Sequence, residues 1–174
     1  ANDNIIEEFK KSLTATVKSI GKSKSIEVNF IQDTPSINGD IINLVEPNIK
    51  SLRKELNYIR AEADSMALEI RFHKKTIHDK YKSSNNITNE IFNAVEQSRI
   101  EAQGSNIFKG IKKNILNKHK IDINSSTLER NKDTEIIQAF KYVSYSELSH
   151  NNLEGKYKIY KKIIQKKLGS KFNE

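Results

Sequence analysis

Five side chains capable of acid–base, metal-binding or ion-pairing chemistry lie in two short, regularly patterned strings. The first string, AEADSMALEIRFH, carries Asp64 and His73, and the second, FNAVEQSRIEAQG, carries Glu96, Arg99 and Glu101. Carboxylates and an imidazole brought to one place can bind a divalent metal or transfer a proton. With a guanidinium among them, the same groups can instead form a buried ion-pair network. Either chemistry requires a fold that brings the two strings together.

Local geometry accounts for part of the charge in the second string. At about 100° per residue along a helix, Glu96 lies within reach of Arg99, whereas Glu101 projects from the opposite flank. One arginine therefore cannot serve both carboxylates. An exposed Glu96–Arg99 pair would contribute only ~0.2–0.5 kcal/mol. The functional alternative is that the charges cross to Asp64 or His73, or to another protein, and complete a buried network.

Other catalytic and binding motifs are incomplete. The GKS triplet at residues 21–23 is not a phosphate-binding loop, because such a loop needs a glycine five residues before the triplet and Thr16 occupies that position. A metal-ion-dependent adhesion motif is also incomplete, because Asn124 occupies the position of its first serine. The four histidines lack the spacing of metal ligands on one helix, which favours His73 as a hydrogen-bonded core residue. No serine has the glycine elbow of a hydrolase. The sequence therefore predicts no self-contained active site.

The composition describes a basic chain of 174 residues without cysteine. Disulfides, thiolate zinc sites and a cysteine nucleophile are thereby excluded. No apolar run approaches the ~18 residues of a membrane span, and the first residues lack the basic start and apolar core of a signal peptide. We expect a soluble, cytoplasmic protein. The net charge of +8 favours anionic partners, and residues 152–174 hold seven lysines against two glutamates.

Apolar spacing predicts the elements of the first half. A first helix should cover about residues 4–20 and end at Gly21, followed by a small β-hairpin with strands near 25–32 and 40–45. After Pro47, apolar residues recur at alternating steps of three and four, which predicts one long helix from about 48 to 82. The residues of this seam are Ile49, Leu52, Leu56, Ile59, Ala63, Met66, Ile70, His73 and Ile77.

The second half is predicted to be helical. A helix over about 86–103, capped by Asn86 or Thr88 and closed by Gly104, should turn back on the long helix as an antiparallel hairpin. Its small residues would permit close approach of another backbone. Three further helical stretches follow, around 107–120, 136–143 and 160–168. We therefore expect a mainly α fold, a single domain over residues 1–174 built around the long helix hairpin, with a minor β element.

The two strings resemble the pattern of the CobT subunit of aerobic cobaltochelatase, in its N-terminal region. The matching positions are Ala63, Asp64, Ser65, Ala67, Leu68 and His73, then Glu96, Gln97, Arg99, Glu101, Ala102 and Gly104. The segment IEVNF and Gly39 are also similar to the family's short strand and the turn after it. The resemblance extends from about residue 25 to 115.

The resemblance implies a place in cobalamin (vitamin B12) biosynthesis. Aerobic cobaltochelatase inserts cobalt(II) into hydrogenobyrinic acid a,c-diamide; its AAA+ subunit CobS hydrolyses ATP with magnesium, and its large subunit CobN handles the tetrapyrrole. Complete CobT proteins end in an acidic linker and a von Willebrand A-type domain, which this sequence lacks. We therefore expect either an excised N-terminal domain or a reduced homologue, acting as an adaptor without catalytic residues, metal or cofactor of its own.

The residues of the two strings that could carry chemistry are expected to act together. Asp64, His73, Glu96, Arg99 and Glu101 are expected to form a partner-binding or structural network. The hairpin of helices 48–82 and 86–103 would dock on CobS or on a neighbouring CobT, with self-association as a further option.

Two hypotheses from other classes remain open. The first is a nucleic-acid-binding module that uses the basic C-terminal helix, although only Tyr157 and Tyr160 interleave its lysines. The second is an enzyme that gathers Asp64, His73, Glu96 and Glu101 around a metal, which calorimetric titration with cobalt or zinc would test.

Overall fold

The computed structural model describes residues 2–48, 50, 53–126 and 131–173. These residues are mostly helical and include a small three-stranded sheet, which confirms the mainly α class with a minor β element. The chain divides into two compact units, residues 1–73 (unit 1) and residues 74–174 (unit 2). Among the residues described, no helix combines the length and apolarity needed to cross a membrane.

Unit 1 packs two helices and a sheet. Its elements are α1 (Asn2–Gly21), β1 (Glu27–Ile31), β2 (Ser36–Asn38), β3 (Ile41–Val45) and α2 (Arg53–Phe72). Helix α2 packs against both α1 and β3. Of the five apolar positions predicted for the first helix, α1 buries Ile6, Leu13, Val17 and Ile20 and leaves Phe9 half-buried. Ile42 and Leu44 of β3 join the buried residues in the core. The amphipathic spacing of α1 thus predicts its packing correctly.

The sheet differs from the predicted hairpin in its strand pairing. Its order is β1-β3-β2: β3 pairs in parallel with β1 and antiparallel with β2. A β-hairpin does lie within residues 25–45, but β2 and β3 form it, whereas the predicted pair, near 25–32 and 40–45, runs in parallel. The reason is the tight turn at Gly39, whose φ of 58° lets the short β2 fold directly onto β3.

Replacing Gly39 with alanine should lower the free energy of unfolding by about 1 kcal/mol, because a Cβ is disfavoured in the left-handed conformation although no atom lies within 4 Å of it. Urea unfolding followed by circular dichroism measures this. Gly110 is the matched control: it also has open space around it, but it has ordinary helical dihedrals, so Gly110→Ala should be neutral or stabilising. Equal losses at both positions would contradict the proposed strain.

The predicted long helix is wrong in its extent. Helix α2 ends at Phe72, and a separate short helix, α3 (Lys75–Lys80), follows after the extended Lys74. Helices in proteins depend on packing of an apolar face, and beyond α2 the seam offers only the half-buried His73 and Ile77, whose exposure is 49%. The first two seam residues, Ile49 and Leu52, lie outside the described residues.

The buried face of α2 is also broader than the predicted seam. Two seam residues, Ile59 and Ala63, are buried, while Leu56, Met66, Ile70 and His73 are half-buried. Four residues beside the seam are buried as well: Ala61, Asp64, Ala67 and Leu68. Contact with both α1 and β3 explains this breadth, because a helix that touches two elements buries more than one stripe.

Unit 2 is helical throughout its described elements. After α3 come α4 (Asn86–Ile107), α5 (Lys109–Ser125), α6 (Lys132–Ser149) and α7 (Tyr157–Leu168), with a final 3-10 turn at Gly169–Asn173. Helix α4 packs on α5 and α6, and α6 packs on α7. Because α2 and α4 belong to different units, the expected hairpin between them stays a prediction, as does the single domain.

The ends of α4 depart from the predicted ones. The cap is Asn85, which precedes both predicted caps and accepts a hydrogen bond from the Thr88 amide at 2.9 Å. Gly104 does not close the helix but lies buried within it, and α4 continues to Ile107. The extended backbone of Phe108 then separates α4 from α5.

A buried carboxylate–histidine pair as candidate functional site

The five residues expected to carry the site fall in both units. Asp64 is 1% exposed on α2, and His73 is half-buried just after that helix, both in unit 1. Glu96, Arg99 and Glu101 lie on α4 in unit 2. Each set is therefore described within its own unit.

Glu96 and Arg99 form the local pair that their spacing favours. Arg99 donates two hydrogen bonds to the Glu96 carboxylate, from Nε to Oε2 at 2.7 Å and from Nη2 to Oε1 at 2.9 Å. It donates a third from Nη1 to Gln103 Oε1 at 3.0 Å. The bonds to Glu96 raise the pKa of Arg99. Because the Arg99 side chain is 45% exposed, this pair contributes little to stability but presents a fixed, outward-facing group.

Glu101 takes a different course, into the core of unit 2. It lies on a face of α4 with small neighbours, Ser98, Ala102 and Ser105, all of which are buried. There its Oε2 accepts a hydrogen bond of 2.6 Å from Nε2 of His119 on α5. The two side chains are 5% and 1% exposed, so the pair joins α4 to α5 away from solvent.

The electrostatics of this pair keep Glu101 ionised. Burial alone would raise the pKa of its carboxyl group, but the charge and hydrogen bond of His119, with smaller contributions from Lys141 and Lys118, lower the pKa to about 2. A buried carboxylate is costly unless it is paired and hydrogen-bonded, and His119 supplies both conditions.

Aromatic side chains of α6 enclose His119. Its ring centroid lies 4.5 Å from that of Tyr145 and 5.7 Å from that of Tyr142, the latter edge to face. The Tyr145 hydroxyl lies 3.1 Å from Ser105 Oγ on α4, and burial raises the pKa of Tyr145. A carboxylate–imidazole pair can orient a proton carrier. Because both side chains of this pair are enclosed away from solvent, its arrangement fits a structural clamp between α4 and α5.

Sequence reasoning did not single out His119, although a signal for it was present. Ile111, Ile115, His119 and Ile123 recur every four residues and are all buried along α5. A histidine within an apolar stripe needs a polar partner in the core. Glu101, the carboxylate that Arg99 cannot serve, is that partner.

The small residues of α4 allow a close approach to α6. Ser98 Oγ donates a hydrogen bond of 2.6 Å to the backbone carbonyl of Lys141. The prediction that this helix admits another backbone is therefore confirmed, and the helix that approaches is α6.

No group of three or more His, Cys, Asp and Glu side chains able to hold a metal ion occurs in the part of the chain that the structure describes. The hypothesis of an enzyme built around a metal with Asp64, His73, Glu96 and Glu101 gains no support from this geometry.

Comparison with known proteins gives one family. The family of cobalamin biosynthesis protein CobT matches residues 3–144, which include both strings and the Glu101–His119 pair. No solved structure matches the chain. The match extends well beyond half of the sequence, through α1 to most of α6. The chain therefore belongs to the CobT family and, with it, to cobalamin biosynthesis.

Proposed function

We propose that this chain is a non-catalytic adaptor part of the CobT subunit of cobaltochelatase, which supports ATP-dependent insertion of cobalt into hydrogenobyrinic acid a,c-diamide. The observation that best supports this role is the use made of Glu101. Glu101, a buried carboxylate of the second string, is enclosed against His119, where it joins α4 to α5 away from solvent. Residues that build a rigid scaffold are what an adaptor requires.

The proposed partners are the AAA+ subunit CobS and the large subunit CobN. ATP, magnesium and cobalt would belong to the assembled complex. The docking surface would include the outward face of α4, where Arg99 is held in a fixed position by Glu96 and Gln103. An ordered, partly exposed arginine suits a protein interface, because little rotamer entropy is lost when it binds.

Gel filtration of the purified chain mixed with CobS, with and without ATP, tests the docking. We expect co-elution in at least one nucleotide state and no ATPase or chelatase activity from the chain alone. Absence of co-elution both with and without ATP would count against the proposal.

Arg99→Ala should weaken this assembly more than Lys161→Ala does. Lys161 is a matched control, since its side chain is 37% exposed against 45% for Arg99 and forms an ion pair with Glu147 at 3.0 Å in the same unit. Surface pairs of this kind contribute about 0–1 kcal/mol to folding, so both variants should unfold almost like the parent chain. Equal, negligible effects on co-elution would show that the α4 charges are merely solvated.

A second candidate function is nucleic-acid binding through α7. Four lysines of this helix are exposed and form no salt bridge among the described residues: Lys158, Lys162, Lys166 and Lys167. Lys156 is used otherwise, since it donates to the carbonyl groups of Asn124 and Ser126. Fluorescence anisotropy with a labelled single-stranded oligonucleotide measures whether the chain binds nucleic acid. Binding that weakens steeply with salt, at a logarithmic slope of about −0.7 per phosphate contact, would favour this function.

A further inference from the structure

We propose that unit 1 carries an acceptor groove for an extended, acidic peptide segment of a partner protein, lying between α1 and the open edge of β1. This α1–β1 groove is lined by residues of α1 from Glu7 to Lys18 and, from the sheet, by Phe30 of β1. Its surface is mostly apolar. The inference does not depend on the proposed adaptor function.

The first support is the free edge of the sheet. Among the described strands, β1 is an outer strand that pairs with β3 alone. At one end of this ladder the Glu27 amide donates to the Asp40 carbonyl, and at the other end the Ile31 carbonyl accepts from the Glu46 amide. In a parallel ladder, alternate residues bond to the neighbour. The amides and carbonyls of Val28 and Phe30 therefore point away from β3, as a template for one more strand.

The second support is the size of the groove beside that edge. Counted from Glu7, the lining positions of α1 lie at i, i+3, i+4, i+7, i+8 and i+11, so they form a single stripe along the helix. From Glu7 to Lys18 this stripe measures about 16 Å at 1.5 Å per residue. A strand of about five residues has the same length, at about 3.3 Å per residue.

The third support is charge. Lys10 is already engaged by Glu7 and Glu46. Lys11 and Lys18, in contrast, form no ion pair within the described residues, and they leave the α1 wall of the groove positive. A peptide that alternates apolar and acidic side chains points all its acidic groups to one face, and that face would lie against α1 beside these lysines.

The same residues disfavour a nucleic-acid strand as occupant. Single-stranded nucleic acids bind by stacking their bases on exposed aromatic faces. Among the described residues of the lining, the one aromatic ring belongs to Phe30, and the ammonium group of Lys10 lies over that ring at 5.4 Å from its centroid. A peptide needs no stacking surface, because its backbone can bond to the strand edge.

The test uses the full chain, labelled for NMR, and an acetylated peptide of about seven residues that alternates valine and glutamate. We expect the amide protons of Val28 and Phe30 to shift and to exchange more slowly when the peptide binds. A peptide that alternates valine and lysine should leave them unchanged. Binding without protection of these two amides, no binding at millimolar peptide, or protection by an oligonucleotide instead would overturn the proposal.

Variants separate the contributions of charge and edge. The double change Lys11→Glu and Lys18→Glu should weaken binding about three- to tenfold, since each exposed pair contributes up to about fivefold. The matched control, Lys112→Glu with Lys113→Glu on exposed positions of α5, alters the net charge equally and should leave affinity within about twofold. Equal losses in both double variants would contradict a local groove.

The edge itself is tested by Val28→Pro. Proline removes an amide that points to the open edge and leaves the bonds to β3 in place, so peptide affinity should fall by about tenfold or more. If this variant fails to fold, amide exchange in the parent chain and the peptide affinities of the two double lysine-to-glutamate variants still decide the proposal.

Discussion

Replacing Glu101 with alanine is expected to lower the free energy of unfolding by about 3 kcal/mol, because the change leaves a buried histidine without its partner. His119 then lies in the core without the carboxylate that accepts its Nε2 proton. Removing one partner of a buried pair typically costs about 3–5 kcal/mol, since the remaining group stays desolvated. Urea unfolding at neutral pH, followed by circular dichroism, measures the loss.

Glu96→Ala is the matched control for this substitution. Glu96 is a carboxylate on the same helix, paired with the partly exposed Arg99, and its removal should cost only ~0.2–0.5 kcal/mol. A double-mutant cycle with His119→Ala then isolates the coupling between the buried partners. Similar small losses for Glu101→Ala and Glu96→Ala would show that the clamp does not hold unit 2 together.

Acid is expected to remove stability through Glu101, on the order of 3 kcal/mol in all. The pKa of this carboxyl group lies at about 2 in the folded chain, against an ordinary value of 4.5. A depressed folded pKa stabilises the native state above the unfolded pKa, and that stabilisation is lost as the pH falls from about 4.5 toward 2. The free energy of unfolding should therefore decline through this window.

Glu101→Gln isolates the acid effect, because it keeps the shape of the side chain and removes the titrating group. The stability gap between the parent chain and this variant should shrink as the pH falls. Asp79→Asn is a useful comparison: hydrogen bonds from Lys75 and Lys82 lower the pKa of Asp79 to about 2 as well, but this carboxylate is exposed and screened. A gap that stays constant with pH at Glu101 would refute the linkage.

Local features of this fold could be predicted from the sequence, and features set by long-range pairing could not. The face of α1 is encoded in the spacing of Leu13, Val17 and Ile20, because an amphipathic helix carries its own packing pattern. Strand pairing carries no such local signal. The parallel register of β1 with β3 depends on β2 folding onto the far side of β3, an outcome that the alternation of SIEVNFIQ does not contain.

The same division applies to the candidate site. The Glu96–Arg99 pair follows from a spacing of three residues on one helix, so its geometry could be predicted. The Glu101–His119 pair depends on the packing of α5 against α4 after the break at Phe108. Spacing showed that Glu101 needed a partner elsewhere, but only the tertiary structure identifies His119.

The break between α2 and α3 illustrates a further limit. The three-four spacing of the predicted seam continues through His73 to Ile77, yet the helix stops at Phe72. Periodicity reports which residues could share a face, whereas the length of a helix is decided by what that face packs against.

The central place of β3 has a consequence for folding on the ribosome. Both outer strands of the sheet pair with β3, which is synthesised after them. The sheet therefore cannot be completed until Val45 has been made and has left the exit tunnel, and α1 must wait for the chain beyond it before its apolar face is covered. The nascent chain thus carries an unprotected amphipathic helix through this interval, when binding by a chaperone would matter most.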